Sequence, residues 1–596
     1  MHRRGVRRNP QLAESVPVNL RYFRPLCLRR LRSLSRGIDP VTDKDLFAYR
    51  KAPELAAAAH GHYPVIVVGA GPVGLTAALD LAQRGIPFML VDEDQRLSAG
   101  SRAICFAKRT LEILDRLGCG EQAVNKGVVW NKGKVFLGED LLYSFDLLPE
   151  PGHKRPAFIN LQQYYLEAFM IERLRSLGAD LRWRNKVVEV KPAADSVAVA
   201  IDTPDGRYRA RCQYLIVADG ARSPVRHLLG LQSRGQVFRD RFLIADVFME
   251  ADFPIERWFW FDPPFHPGRS VLLHRQADNV WRIDFQLGWD ADPEIEKQPA
   301  QVTPRIRAML GPERPFELVW VSVYTFQCRR MDRFRHGRVL FAGDAAHQVS
   351  PFGARGANSG MQDADNLVWK LGLVLSGGAP DALLESYERE RVPAADENIL
   401  YSTRSTDFIT PKSTVSRAFR DATLWLARNH AFARRLVNSG RLSTPSAYLD
   451  SPLNTVDGDA FAGSLAPGAP ALDAPLLADG KSVWLIDRLG GGFTGVYFAG
   501  AEPVSPAAAT SLSSLAGLPV PVSPLIVAAR GVTPGPDACG DVEGLVQQRL
   551  DATPGAFYLF RPDQHLAARW RRLDAPAVGA ALERATDNAS ASGASA

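Results

Sequence analysis

Residues 63–74 read YPVIVVGAGPVG. An apolar run ends in Gly69, Gly71 and Gly74, spaced G-x-G-x-x-G, and a helix-periodic apolar stretch follows. That is the pattern of a strand, a tight turn and a helix. Gly69 permits the turn, Gly71 lets backbone approach a diphosphate, and Gly74 lets the helix pack closely on the strand. The helix N-terminus then faces the phosphates with its partial positive charge. A second strand, PFMLVDED (87–94), ends in Asp92-Glu93, 18 residues beyond Gly74. Residues 63 to about 120 therefore read as a βαβ unit. Asp92 directly follows Leu90-Val91, where a carboxylate accepts hydrogen bonds from ribose hydroxyls. Alone, the motif fits NAD or FAD equally well.

Two later stretches decide between them. YLIVADGARSPVR (214–226) is a strand running into Asp219-Gly220, followed by Ser223 and Arg226. GRVLFAGDAAH (337–347) is another strand, ending in Gly343-Asp344. After it comes QVSPFGARGANSGMQDADNL, with Pro351 and then Gly356-Ala357-Asn358 opening a helix. An NAD dehydrogenase needs neither stretch. Together the three resemble the FAD-dependent aromatic hydroxylases, the group A flavoprotein monooxygenases of the phenol and 3-(3-hydroxyphenyl)propionate hydroxylase type. The likeness covers roughly residues 63–410.

The resemblance implies an α/β chain: a Rossmann-type FAD-binding domain, an inserted, mostly antiparallel β-sheet substrate domain, and a C-terminal thioredoxin-like α/β domain. It implies FAD as cofactor, NADH or NADPH as co-substrate, and O2 and a small aromatic molecule as reactants, through a flavin hydroperoxide. By the same likeness Asp344 bonds the ribityl chain and Pro351 sits against the flavin near its reacting edge. The N–H groups at Gly356, Ala357 and Asn358 face the pyrimidine end, where reduction leaves negative charge that a helix N-terminus stabilises. Arg102 in SRAICFAKR matches the arginine facing cofactor and active site, and is read with Pro351 as catalytic. Gln163, in preference to its neighbour Gln162, matches the glutamine at the flavin linker. Asp219 contributes to flavin and pyridine-nucleotide binding, although a turn-forming Asp-Gly would look the same locally.

One departure stands out. Phenol hydroxylases carry an Asp, taken to deprotonate the phenol, where this chain has Ile104 between Ala103 and Cys105. Substitutes on the inserted sheet are His274, Arg275, Arg282 and Gln286. Trp258 and Trp260 suit either an aromatic pocket or sheet packing. His347 reads as a satisfied helix-start residue and not as a base. Asp363 and Asp365 read as solvated or capping acids.

Composition limits the rest. The pI is about 9.1, yet residues 1–38 hold ten Arg against one Glu, a net +9 in a chain of +7. The body is thus near −2, with no electrostatic case for nucleic acid. The basic start has the composition of a transit-like presequence, a surface-binding arm or a disordered extension. Six scattered cysteines with no C-x-x-C argue against disulfides, zinc and dithiol chemistry and suit the cytoplasm. The uncharged run Tyr63–Leu79 holds five Gly or Pro and is no membrane span. The expected division is 1–60 extension, 61–235 and 326–440 FAD-binding parts, 236–325 substrate sheet, and 441–596 C-terminal domain with a flexible tail. That last domain lacks C-x-x-C and reads as structural, with a homodimer contact one role open to it. A halogenase, a reductase or dehydrogenase, and a flavin-free binding protein are the rival functions.

Overall fold

The computed structural model describes residues 47–588 apart from 57–60, 99, 101 and 438–441. The N-terminal extension up to residue 46 and the tail from 589 lie outside the described residues. The stretch quoted first forms the strand Gly61–Val68, whose last four residues are buried. Its parallel neighbours are Phe88–Val91 on one side and Gly206–Val217 on the other. Asp180–Arg182 and Val339–Phe341 extend the parallel set outward on the two sides. Parallel strands covered on both faces need apolar residues on both, which explains why VIVV, FMLV and YLIV are unbroken apolar runs and do not alternate. The helices Pro72–Gln83, Gln163–Ser176 and Gly356–Leu375 pack in this unit.

Backbone bonding continues past the strand ends. Gly69 N donates to Val91 O at 2.9 Å, Ala218 N to Val68 O at 2.8 Å, and Ala342 N to Val217 O at 3.0 Å. The three motif turns therefore leave neighbouring strands at their carboxyl ends, where ligands bind in open α/β sheets.

The second sheet has eight strands and is antiparallel apart from one pairing. It is wider than the expected 236–325. It runs from Ser233 to Met331, takes in the two-residue strand His347–Gln348, and adds the hairpin Lys132–Leu137 and Asp140–Asp146, which the sequence reading left inside the first FAD-binding part. Arg257–Phe261 pairs in parallel with Lys132–Leu137, a non-local match that no local pattern signals. The helix Pro299–Leu310 covers one face, packing Val302, Ile306 and Leu310 on Leu243, Trp281, Ile283 and Phe285. Trp258 and Trp260 belong to that covered face, and Trp260 stacks on Phe136 with centroids 5.2 Å apart. They pack the sheet, on the face opposite Phe259 and Phe261. Strand alternation then puts Arg257, Phe259, Phe261, Arg282 and Asp284 on the opposite face.

A third, seven-stranded sheet spans Pro475–Ala478 to Leu566–Trp570. It joins the first unit through buried charges. Arg561 donates to Glu390 at 2.6 Å, and Arg109 to Gln564 Oε1 at 2.6 Å and to Asp365 at 2.9 Å. Asp365, which also pairs with Arg116, is thus a buried interface acid and not a solvated one. Among the described residues no helix is long and apolar enough to cross a membrane.

Candidate active site

The glycine turn is built almost without side chains. Gly69 has φ +103°, and a Cβ there would lie 2.4 Å from Ala218 O. A Cβ on Gly74 would lie 1.9 Å from Gly69 O, so this glycine is required by helix–strand packing. At Gly71 nothing lies within 4 Å of a Cβ, so open space faces the backbone there. No side chain caps the helix that starts after Gly71. Asp92 steadies the turn from the next strand: its carboxylate accepts from Ala70 N at 2.6 Å and from Asp94 N at 2.8 Å. Burial raises the Asp92 carboxyl above its ordinary value, and these two donors partly offset that.

The other turn is braced from behind. Gly343 has φ +61°, and a Cβ on it would meet Val73 Cγ2 at 2.8 Å, beside the first helix. Its N–H donates to Asp363 Oδ2 at 2.9 Å. The same oxygen lies 2.6 Å from His347 Nε2, and Arg391 Nε donates to Asp363 Oδ1 at 2.6 Å. Arg391 reaches on to Tyr448 Oη at 3.0 Å. Asp363 is fully buried, so its reading as a solvated or capping acid is wrong. Burial alone would raise its carboxyl, but His347, Arg391 and the Gly343 N–H hold it below the ordinary value. His347 lies on a two-residue strand and not at a helix start; the helix begins at Gly356.

Between these turns Asp344 is accessible, yet protein crowds it closely enough for burial to raise its carboxyl. Pro351 is exposed, and the helix Gly356–Leu375 starts without a side-chain cap. The Asn358 side chain is fully engaged elsewhere. It accepts from Ala107 N at 2.8 Å and Thr110 Oγ1 at 2.6 Å, and donates to Cys105 O at 2.8 Å and Ala354 O at 2.6 Å. Only backbone at Gly356, Ala357 and Asn358 is left to face a ligand. Asp219 Oδ2 accepts from Val225 N at 2.9 Å, and Arg226 donates to Ala345 O at 2.7 Å, tying the second motif to the third.

Gln163 holds the Arg102 loop: its Oε1 accepts from Ala103 N at 3.0 Å and its Nε2 donates to Glu167 at 2.7 Å. Gln162 points elsewhere, donating to Ala277 O at 3.1 Å. Gly100 lets the loop lie on the sheet, since a Cβ there would strike the Trp320 ring at 2.2 Å. Arg102 is exposed, and its carbonyl accepts from Arg282 at 3.3 Å. Tyr324, 45% exposed, lies within electrostatic reach of Asp344, Arg282 and Arg102. The structure thus collects Arg102, Asp344, Arg282 and Tyr324. Sequence reasoning missed Tyr324, which is one residue in an alternating strand.

A cleft opens beside this groove, with about 570 Å³ of space, open solvent included. It is lined by Phe259, Phe261, Phe352, Gly353, Ile409 and Leu442, among others. Ile104 is buried in an adjoining apolar cluster with Cys105, Trp130, Phe158 and Ala354. Of the expected substitutes for a carboxylate base, Arg282 is held by Asp284 at 2.7 Å. Gln286 accepts from Ser270 N at 2.9 Å, and Arg275 covers Trp281 on the far face. Burial, with Arg257 and Arg282 nearby, holds His274 well below its ordinary pKa.

These features fit FAD: open space at Gly71, two uncapped helix starts, and an accessible carboxylate between them. The comparisons agree. The family described as FAD binding domain matches residues 62–401. The 6-methylpretetramide 4-monooxygenase of Streptomyces rimosus is 31% identical, over 87% of this chain and 93% of its own. The 3-(3-hydroxy-phenyl)propionate/3-hydroxycinnamic acid hydroxylase of Mycolicibacterium smegmatis is 30% identical, over 61% of this chain and 64% of its own. The crystal structure of the flavin-dependent monooxygenase PieE with FAD and substrate shares the fold at TM-score 0.74 and 24% identity. That likeness covers 88% of this chain and 98% of the other. With more than half its length matched, and a relative aligned nearly end to end, the chain belongs to the FAD binding domain family and is an FAD-dependent monooxygenase.

Proposed function

We propose that the protein hydroxylates a phenolic ring, free or fused into a polycycle, with O2 and NAD(P)H. One observation carries the reading. The aromatic-walled cleft is bounded by Phe352-Gly353, within the turn that joins Pro351 to the helix start at Gly356. A ring in the cleft therefore lies against the end of the groove assigned to the flavin. When bound, FAD accepts hydride from the nicotinamide and activates O2 for insertion into the ring. Gly69, Gly71 and Gly74 would hold the diphosphate, Asp92 the ribose, Asp344 the ribityl chain, and Gln163 the loop over the linker. The backbone at Gly356–Asn358 would bear the charge of the reduced ring. Phe259, Phe261, Phe352, Ile409 and Leu442 keep water from the reacting face. One relative is named for a hydroxyphenylpropionate and a hydroxycinnamic acid and another for 6-methylpretetramide, which supports the substrate class.

We also read the nucleotide unit as Rossmann-type and the C-terminal unit as thioredoxin-like. In the latter, parallel strands Phe493–Gly500, Val522–Ala528 and Ala538–Asp541 sit beside an antiparallel hairpin. Cys539 is its one cysteine, so its role is structural.

The test is a panel of single-ring and fused phenols scored for stimulated NAD(P)H oxidation matched by oxygenated product. At least one should stimulate; if none does, the reading falls. Arg102→Ala should keep FAD and lose at least about tenfold in turnover, equivalent to ~1.4 kcal/mol of transition-state stabilisation. Full activity in that variant removes Arg102 from the site.

A further inference from the structure

The described residues lining the cleft include no carboxylate and no histidine. Cys105, on the adjoining wall, donates to Asn160 Oδ1 at 3.1 Å, and burial pushes its thiol up to about 11. Among the described residues, a phenol entering the cleft meets no competent base. What it meets is Arg257. This guanidinium lines the cleft, is closely crowded by protein, and has no hydrogen-bonded or ion-paired partner among the described residues. Its charged neighbours, Arg282 and Asp284, are bonded to each other. The other cation at the cleft, Lys134, pairs with Glu256 at 2.8 Å and lies over Trp258, so its charge belongs to the far face.

An unpaired cation in a crowded, apolar-walled site is costly, and an anion entering that site relieves the cost. We propose that Arg257 binds the ring oxygen of the substrate as a phenolate, so that a cation and not a carboxylate base ionises the substrate in this cleft. The inference rests on the phenol-hydroxylase reading. The phenol O–H bond breaks, its electron pair stays on oxygen, and the proton leaves to water at the open mouth of the cleft. An opposite charge within hydrogen-bond reach favours the ionised form and lowers its pKa. The phenolate in turn enriches the ortho and para carbons for attack by an electrophilic oxygen. Ile104 fits this scheme, since a carboxylate placed near Arg257 would pair with it and cancel the charge.

The test uses the FAD-loaded protein and 4-nitrophenol as probe. Phenolate absorbance is followed against pH with the protein's own spectrum subtracted. In the wild type the bound probe should ionise at least ~1 pH unit below the free probe. Arg257→Met should abolish the shift at unchanged FAD content, and Arg257→Lys should keep part of it. A bound probe that ionises with the free one, a Met variant with the wild-type shift, or a probe that does not bind overturns the inference. So does an Arg257→Met variant that weakens only carboxylate-bearing ligands, because the arginine would then anchor a remote acid. Loss of all phenol-stimulated NAD(P)H oxidation in the wild type would instead sink the hydroxylase reading beneath it.

Discussion

At the end of the groove we assign to the diphosphate, glycines shape the turn and a single aspartate steadies it; at the end we assign to the flavin ring, the Gly343-Asp344 turn leans on Asp363, His347, Arg391 and Tyr448, all buried. The first design leaves backbone donors open and takes its order from local steric limits. The second presets a backbone shape before any ligand arrives, using charges whose burial is expensive. Buried ion pairs add little net stability over apolar packing, but losing one partner strands the other. The ring end therefore buys geometry, and the diphosphate end buys access.

Removing the brace should have the largest effect. Asp363→Ala leaves Arg391 and His347 without their counter-charge and should cost about 3–5 kcal/mol in denaturant unfolding. A loss below about 1 kcal/mol would mean that the two ends are not built differently. Next come the glycines, as a contrasting pair. Gly74→Ala forces a Cβ against Gly69 O, and overpacking of that kind costs about 1–3 kcal/mol in stability as well as FAD. Gly71→Ala meets only open space in the protein, so it should lose FAD affinity with stability almost unchanged. Equal destabilisation of both variants would contradict the open cradle.

The smallest effect is a difference of sign with pH in the apoprotein. Asp363 is held below its ordinary value, so its stabilisation is full above its unfolded pKa near 4 and is lost as pH falls through the folded value. Asp92 is raised by burial, so its contribution is full below the unfolded value and is lost as pH rises through the folded one. As pH falls from neutral, the deficit of Asp363→Asn against the wild type should shrink, whereas Asp92→Asn should lose ground against it, on top of the constant cost of one lost acceptor. Unfolding curves across that range check the signs; trends of the same sign would remove the contrast.

The same division marks what was legible beforehand. Gly69, Gly71, Gly74 and Asp92 lie within one βαβ unit, where residue type and spacing are the structure. Asp363 misled because helix periodicity says which residues share a face, not whether that face meets solvent or Arg391 from another helix. Trp258 and Trp260 were ambiguous for a related reason: alternation separates two faces of a strand without saying which one a helix covers. The hairpin at Lys132–Asp146 was missed because its partner strand lies more than a hundred residues on.

By itself the sequence determined the nucleotide-binding unit, because it rests on backbone conformations that only certain residues at certain spacings adopt, while the cofactor and the kind of chemistry came from the resemblance its three motifs carry. Tertiary structure alone decided which charges face the cleft. Arg282 and Arg257 lie on one sheet face and read alike as letters, yet one is closed by Asp284 and the other faces the cleft. Arg282 and Asp284 sit two residues apart on one strand face, so their pairing is local, whereas the walls around Arg257 come from distant segments that local spacing does not encode.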